Sequence, residues 1–156
     1  MAITSAICNS FKQEILVGTH NFTASSGNTF KIALYSSHSA TLSKSTTAYT
    51  APSDGTADPT NTYEVTSTSS GYTTGGNSLT SVTPVLSGDT ACCKFSDTSW
   101  GSSASFTARG CLIYNSSASN KAVCAINFGS DKTVTSGTFT IQFPAQTAGN
   151  AIIQIA

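Results

Sequence analysis

At 156 residues the chain has the size of one domain and can bury a core without metal or cross-links. Its seven basic and seven acidic residues cancel, and charged residues make up only 9% of it, so it carries no electrostatic footprint for nucleic acid or an anionic membrane. Roughly a third of the residues are Ser or Thr, which hydrate a surface without charge and, for Thr, favour strands; this is the composition of a β-rich protein with long polar loops.

The first segment lacks a basic n-region, and Asn9, Lys12 and Glu14 interrupt its apolar residues, so no signal peptide is expected. No run reaches about eighteen apolar residues, so no membrane-spanning helix is expected either. Ile7, Phe11 and Ile15 recur at four-residue steps and predict a helix over 4–16, capped by Thr4 or Ser5 and stopped near Gly18. Residues 1–18 then form either a cap over the open end of a sandwich or an arm that docks on a neighbouring subunit through Phe11 and Ile15. Residues 19–156 form a single β-sandwich domain, with no internal repeat.

Residues 29–36 alternate Phe30, Ile32 and Leu34 against Lys31, Ala33 and Tyr35, the pattern of a half-buried strand. The polar stretch 37–62 is punctuated by Pro52, Gly55 and Pro59 and is a candidate docking loop. Residues 71–76, GYTTGG, lack the lysine and the following helix of a phosphate loop. Pro84 confines the strand over 79–86 to an edge or a bulge. In 90–95 the alternation sets Ala91, Cys93 and Phe95 on one face and Cys92 with Lys94 on the other, which makes Cys92 an outward candidate for an intersubunit thiol. Residues 97–103 read as a turn around Trp100. Two apolar runs, 110–114 and 122–128, flank the polar stretch 115–120 as a β-hairpin. If Tyr114 pairs with Lys121, Cys111 falls directly opposite Cys124. Gly129, Asp131 and Gly137 mark turns, and strands over 138–143 and 151–155 follow. Short strands with turn signals every ten or so residues predict an all-β, antiparallel β-sandwich, jelly-roll or Ig-like, with a short N-terminal helix.

The chemistry is sparse. His20 and His38 lie on polar stretches, and the seven carboxylates fall mostly in turns, so neither a triad nor a carboxylate pair is visible and no enzyme is expected. Asp54, Asp58 and Glu64 are the acids closest to a loose calcium site, but their spacing fits no known loop. The five cysteines lack CxxC spacing, so no metal and no cofactor is expected. Their odd number leaves at least one thiol outside any intrachain bridge. Cys93, Cys111 and Cys124 read as small buried apolar residues, with a Cys111–Cys124 disulfide as the alternative.

The stretches FKQEILVGTHNFT, FKIALYSS, STTAYT, GYTTGGNSLTSVTPVLSG, FTARGCLIYNSS, KAVCAINFGSDKT and GTFTIQFP occur in order over most of 11–144. Together they resemble small virion structural proteins of tailed bacteriophages that infect marine and cyanobacterial hosts. The resemblance implies a non-enzymatic virion component. Its partners would be further copies of itself and other virion proteins, in a homo-oligomer or as lattice-bound copies. A capsid decoration or cement protein is the first expectation; a tail, collar or fibre-associated protein, with a receptor- or glycan-binding role, is the alternative. The cysteines at 92, 93, 111 and 124 depart from the small or apolar residues associated with those positions.

Overall fold

Runs rich in Thr, Val, Ile and aromatic residues pair antiparallel into two sheets in the computed structural model, which describes residues 2–36, 40–50, 63–66, 69 and 71–156. In chain order the elements are β1 (Ala6–Ile7), α1 (Asn9–Leu16), β2 (Phe30–Tyr35), β3 (Asn77–Leu79), β4 (Ser81–Ser87), β5 (Thr90–Phe95), β6 (Thr98–Asn115), β7 (Lys121–Ile141) and β8 (Ile153–Ile155). The larger sheet has the order β1-β7-β6-β2-β3 and the smaller one β4-β5-β8. The all-β antiparallel sandwich expected from the sequence is the architecture, with α1 packed on β7.

Aromatic side chains fill the space between the sheets. Phe30 of β2 stacks on Phe22 at 4.3 Å between ring centroids and lies 5.5 Å from Phe95 of β5. The other face of the larger sheet is covered as well. Tyr49 stacks on Tyr114 at 4.4 Å, and Tyr72 meets Trp100 and Phe106. β2 is therefore buried on both sides, not half-buried as its alternation predicts: Ala33 and Tyr35 lie under irregular chain that the pattern cannot see.

α1 starts later than its periodicity suggests, because Ala6 and Ile7 pair with Ala125 and Cys124 and leave Cys8 as the extended N-cap. No side chain caps the helix, so Thr4 and Ser5 do not serve there. Gly18, at φ +74, ends it by donating its N–H to the Ile15 carbonyl. Ile3, Cys8 and Phe11 belong to the same core as the strands, so residues 2–18 are built into the sandwich. Phe11 is 3% exposed, against His20 and Phe22, and cannot anchor a neighbour; Ile15 is half-buried against the same core. The helix's exposed apolar flank is Leu16, with Val17 just beyond it.

β6 and β7 form a hairpin of 18 and 21 residues, into which the expected turns at 97–103 and 129–137 are absorbed. Register shifts near Ala104 and Arg109 take up the turn-prone residues as bulges, and Gly129 adopts φ +79. The hairpin register also differs from expectation. Asn115 pairs with Lys121 and Tyr114 with Ala122, and a further shift sets Ile113 opposite Cys124. Cys111 consequently faces Ile126, diagonal to Cys124 and not opposite it, and all five cysteines are free thiols. One residue of the difference arises in the turn, where Ser119 and Asn120 take left-handed φ values and β6 stays paired one residue further, to Asn115; the shift between Ile113 and Tyr114 supplies the other.

Pro84 sits where its missing N–H is harmless, in edge strand β4 beside a register shift between Val82 and Val85. Cys92, expected to face outward, is 1% exposed. The chain around Gln146 folds over that face, its side-chain amide donating to the carbonyls of Thr83 and Cys92. A buried thiol there cannot cross-link subunits.

Candidate functional site

Two buried polar centres and several apolar openings stand out among the described residues. The first centre joins α1 to the hairpin. Glu14 lies three residues after Phe11 and so shares the inward face of the helix. Its carboxylate accepts from His20 Nε2 at 2.8 Å and from Lys121 Nζ at 2.7 Å. Asn115 Nδ2 donates to His20 Nδ1 at 3.1 Å and to Asn28 Oδ1 at 3.0 Å, while Asn115 Oδ1 accepts from the Ser117 N–H. These assignments give the imidazole its proton on Nε2. The ring's side chain is fully buried and both nitrogens are occupied, so His20 ties four segments together and has no nitrogen left for a substrate. The sequence places His20 on a polar loop; Phe11 and Phe22 flanking it in space are what draw it inside.

Burial opposes ionisation of Glu14, but the hydrogen bonds from Lys121 and His20 and the charge of Lys121 outweigh it and hold the carboxyl below the ordinary glutamate value of 4.5. A depressed acid contributes stability that is present above its unfolded value and lost as the pH falls through the folded one. Glu14→Gln is therefore expected to cost about 1 kcal/mol near pH 7, a figure reduced by the solvent exposure of Lys121, and to converge with wild type on acidification. Urea midpoints at pH 7 and pH 3 check this; parallel pH profiles would contradict it.

The second centre is Glu64, fully buried. Glu64 Oε1 accepts from the Tyr72 hydroxyl at 2.7 Å and the Gly75 N–H at 2.6 Å, and Oε2 accepts from the Tyr49 hydroxyl at 2.9 Å. Tyr72 in turn accepts from the Leu34 N–H, and Tyr114 donates to the Gly75 carbonyl. β3 accompanies β2 only as far as Ile32, after which Val65 N–H bonds to the Leu34 carbonyl and Ser36 N–H to that of Tyr63. Gly76 makes the corner, at φ +70, where a Cβ would overlap the Ile32 carbonyl. The GYTTGG stretch is thus a backbone corner that delivers Gly75 to Glu64. The calcium reading for Glu64 does not hold, since Tyr49, Tyr72 and Gly75 direct donors at its oxygens; Asp54 and Asp58 lie outside the described residues, as does His38.

Burial drives the thiols of Cys8 up to about 11 and Cys93 to about 12, and lifts those of Cys111 and Cys124 well above the ordinary thiol value. Such thiols stay protonated at neutral pH and are poor nucleophiles and ligands. They serve as small core residues. No group of three or more His, Cys, Asp or Glu able to hold a metal occurs among the described residues, and none of their helices is long and apolar enough to cross a membrane.

The accessible feature is apolar. Where the smaller sheet meets α1, one opening of about 450 Å³ is lined by Phe11, Ile15, Pro84, Ala91 and Ile153, and another of about 380 Å³ separates α1 from β8. Leu16, Val17, Leu86 and Ile155 are exposed at this end; sequence periodicity does not single them out, because they lie at element ends. Compared with models of protein families, with curated proteins and with solved structures, the chain matches none.

Proposed function

We propose that this protein is a non-enzymatic structural component of a bacteriophage virion, and specifically a decoration or cement protein bound to the outer surface of the head. The observation that carries the reading is where the chain places its polar chemistry. The ionisable clusters are enclosed as internal ties, while the long hairpin presents paired hydroxyls outward: Ser99 to Thr140, Thr107 to Thr133, and Ser105 to the Ser136 N–H. Such a surface is hydrated yet carries little charge, which suits repeated contacts between neutral subunits. The ordered resemblance over 11–144 supports the same reading. A glycan-binding role on the tail draws less support, since none of the strongly exposed large apolar residues described is aromatic.

Quantitative mass spectrometry of purified virions, with the major capsid protein as internal standard, tests the proposal. A copy number that follows the capsid lattice is expected. A copy number that follows the tail or its fibres would replace decoration with the tail-associated alternative, and absence from purified virions would overturn the proposal.

A further inference from the structure

β8 occupies one edge of the smaller sheet, in register with β5 through Ile155 and Ala91, Gln154 and Cys92, and Ile153 and Cys93. No other described strand pairs with its outer side. We infer that this edge is the seam of a two-fold homodimer, in which the β8 strands of two copies pair antiparallel and join the smaller sheets across the axis.

Three observations point to a second copy as the occupant. The strand reads Ile153-Gln154-Ile155, the same in both directions. A two-fold axis at Gln154 therefore sets Ile153 of one copy opposite Ile155 of the other, twice. The edge also lacks the features that discourage pairing elsewhere in the molecule. β4 carries Pro84 and a register shift, and β7 carries Lys132 and bulges, whereas β8 has no proline, charge or bulge. Finally, three residues of ladder are too few to hold a dimer alone, and the surroundings supply the rest. Leu86, Ala91 and Ile155 are successive partners across the smaller sheet and so share one face. Across the 380 Å³ groove stands α1, with Leu16 85% and Val17 69% exposed. An incoming β8 enters this groove, where Ile7, Ile15 and Leu16 cover its isoleucines. Among the described residues Lys12 is the one charged side chain lining it, and the chain's zero net charge sets no long-range repulsion between copies.

The inference is independent of the virion proposal, since it concerns the isolated chain. Light scattering of the purified protein across a concentration series is expected to show a reversible monomer–dimer equilibrium. Leu16→Lys and Ile155→Lys, both at exposed positions, are expected to raise the dimer dissociation constant by about tenfold or more without lowering the melting temperature of the diluted monomer. Amide exchange of wild type reads the seam itself, with protection of the β8 amides that face away from β5 rising as the protein is concentrated. A strictly monomeric wild type overturns the inference. A dimer unaffected by both substitutions, or one that leaves β8 exchange unchanged, overturns it equally.

Discussion

Replacing Glu64 with Ala is expected to destabilise the fold by about 3–5 kcal/mol, because it removes a buried group and leaves its partners without an acceptor. The Tyr49 and Tyr72 hydroxyls and the Gly75 N–H all converge on its two oxygens, and the side chain is fully buried. The chain of contacts runs on through Tyr72 to β2 and through Gly75 and Tyr114 to β6, so the loss loosens the cover over the larger sheet. Glu64→Gln keeps an acceptor for Tyr72 and Gly75, and rotation of the Tyr49 hydroxyl accommodates the new amide; it is expected to cost less than half as much. The two variants also differ in pH dependence. Burial raises the Glu64 carboxyl above its ordinary 4.5, outweighing Tyr72, Gly75, Tyr49 and the Lys31 ammonium, all of which lower it. A raised acid contributes stability that is fully present below its unfolded value and declines as the pH rises through the folded one. The gap between wild type and Glu64→Gln is therefore expected to narrow as the pH rises above the ordinary glutamate value of 4.5. Chemical unfolding at several pH values reads both effects, and a Glu64→Ala cost below about 1 kcal/mol would show that the cage is not structural.

The strands were legible wherever a local pattern sufficed. Thr90–Phe95 is β5, the apolar runs of the hairpin lie in β6 and β7, and Pro84 marks an edge strand with a register shift. Length was not legible, because bulges let Gly129 and the serines around Trp100 remain inside strands that composition reads as ended. Register was lost for a related reason. The turn lets Asn115 join the ladder and a shift between Ile113 and Tyr114 adds one residue more; together, and invisibly to a count of residues, they move Cys111 from Cys124 to Ile126. The buried polar centres were missed because each of their acids is isolated in sequence. Glu14 finds Lys121 across 107 positions, and Asn115 finds His20 across 95. The helix gave one readable clue, since Glu14 shares the face of Phe11 and would need a partner there. Cys92 and Phe11 failed as surface candidates because strand alternation and helical spacing specify a face but not what lies against it. In both cases irregular chain, around Gln146 and around His20–Phe22, supplies the cover.

Phe30→Ala is expected to have an effect of similar size, about 3–5 kcal/mol, from lost apolar burial together with the cavity left behind. Phe30 is wholly buried where three separate segments meet. Phe22 stacks on it at an interplanar angle of 7°, Phe95 approaches from the smaller sheet, and His20 lies at 6.4 Å. Collapse of the site is resisted from both sides. β2 is held by six register pairs to β6, and Phe95 is fixed in turn by Phe143. Phe139 provides the control. It also belongs to an aromatic cluster, with Trp100, Phe106 and Phe128, but it is only partly buried on the outer hairpin, where its neighbours can settle into the space. Phe139→Ala should cost distinctly less, about 1–2 kcal/mol. Urea unfolding with unchanged m-values measures both. Equal costs would mean that the sheets are not joined chiefly through Phe30. The expected inequality has a structural consequence, because Phe95 is the aromatic of β5 that contacts Phe30 and β5 is the strand on which β8 is paired. A cavity at Phe30 weakens the hold on the smaller sheet, so amide protection in β5 and β8 should fall more steeply in Phe30→Ala than protection in the distal half of the β6–β7 hairpin.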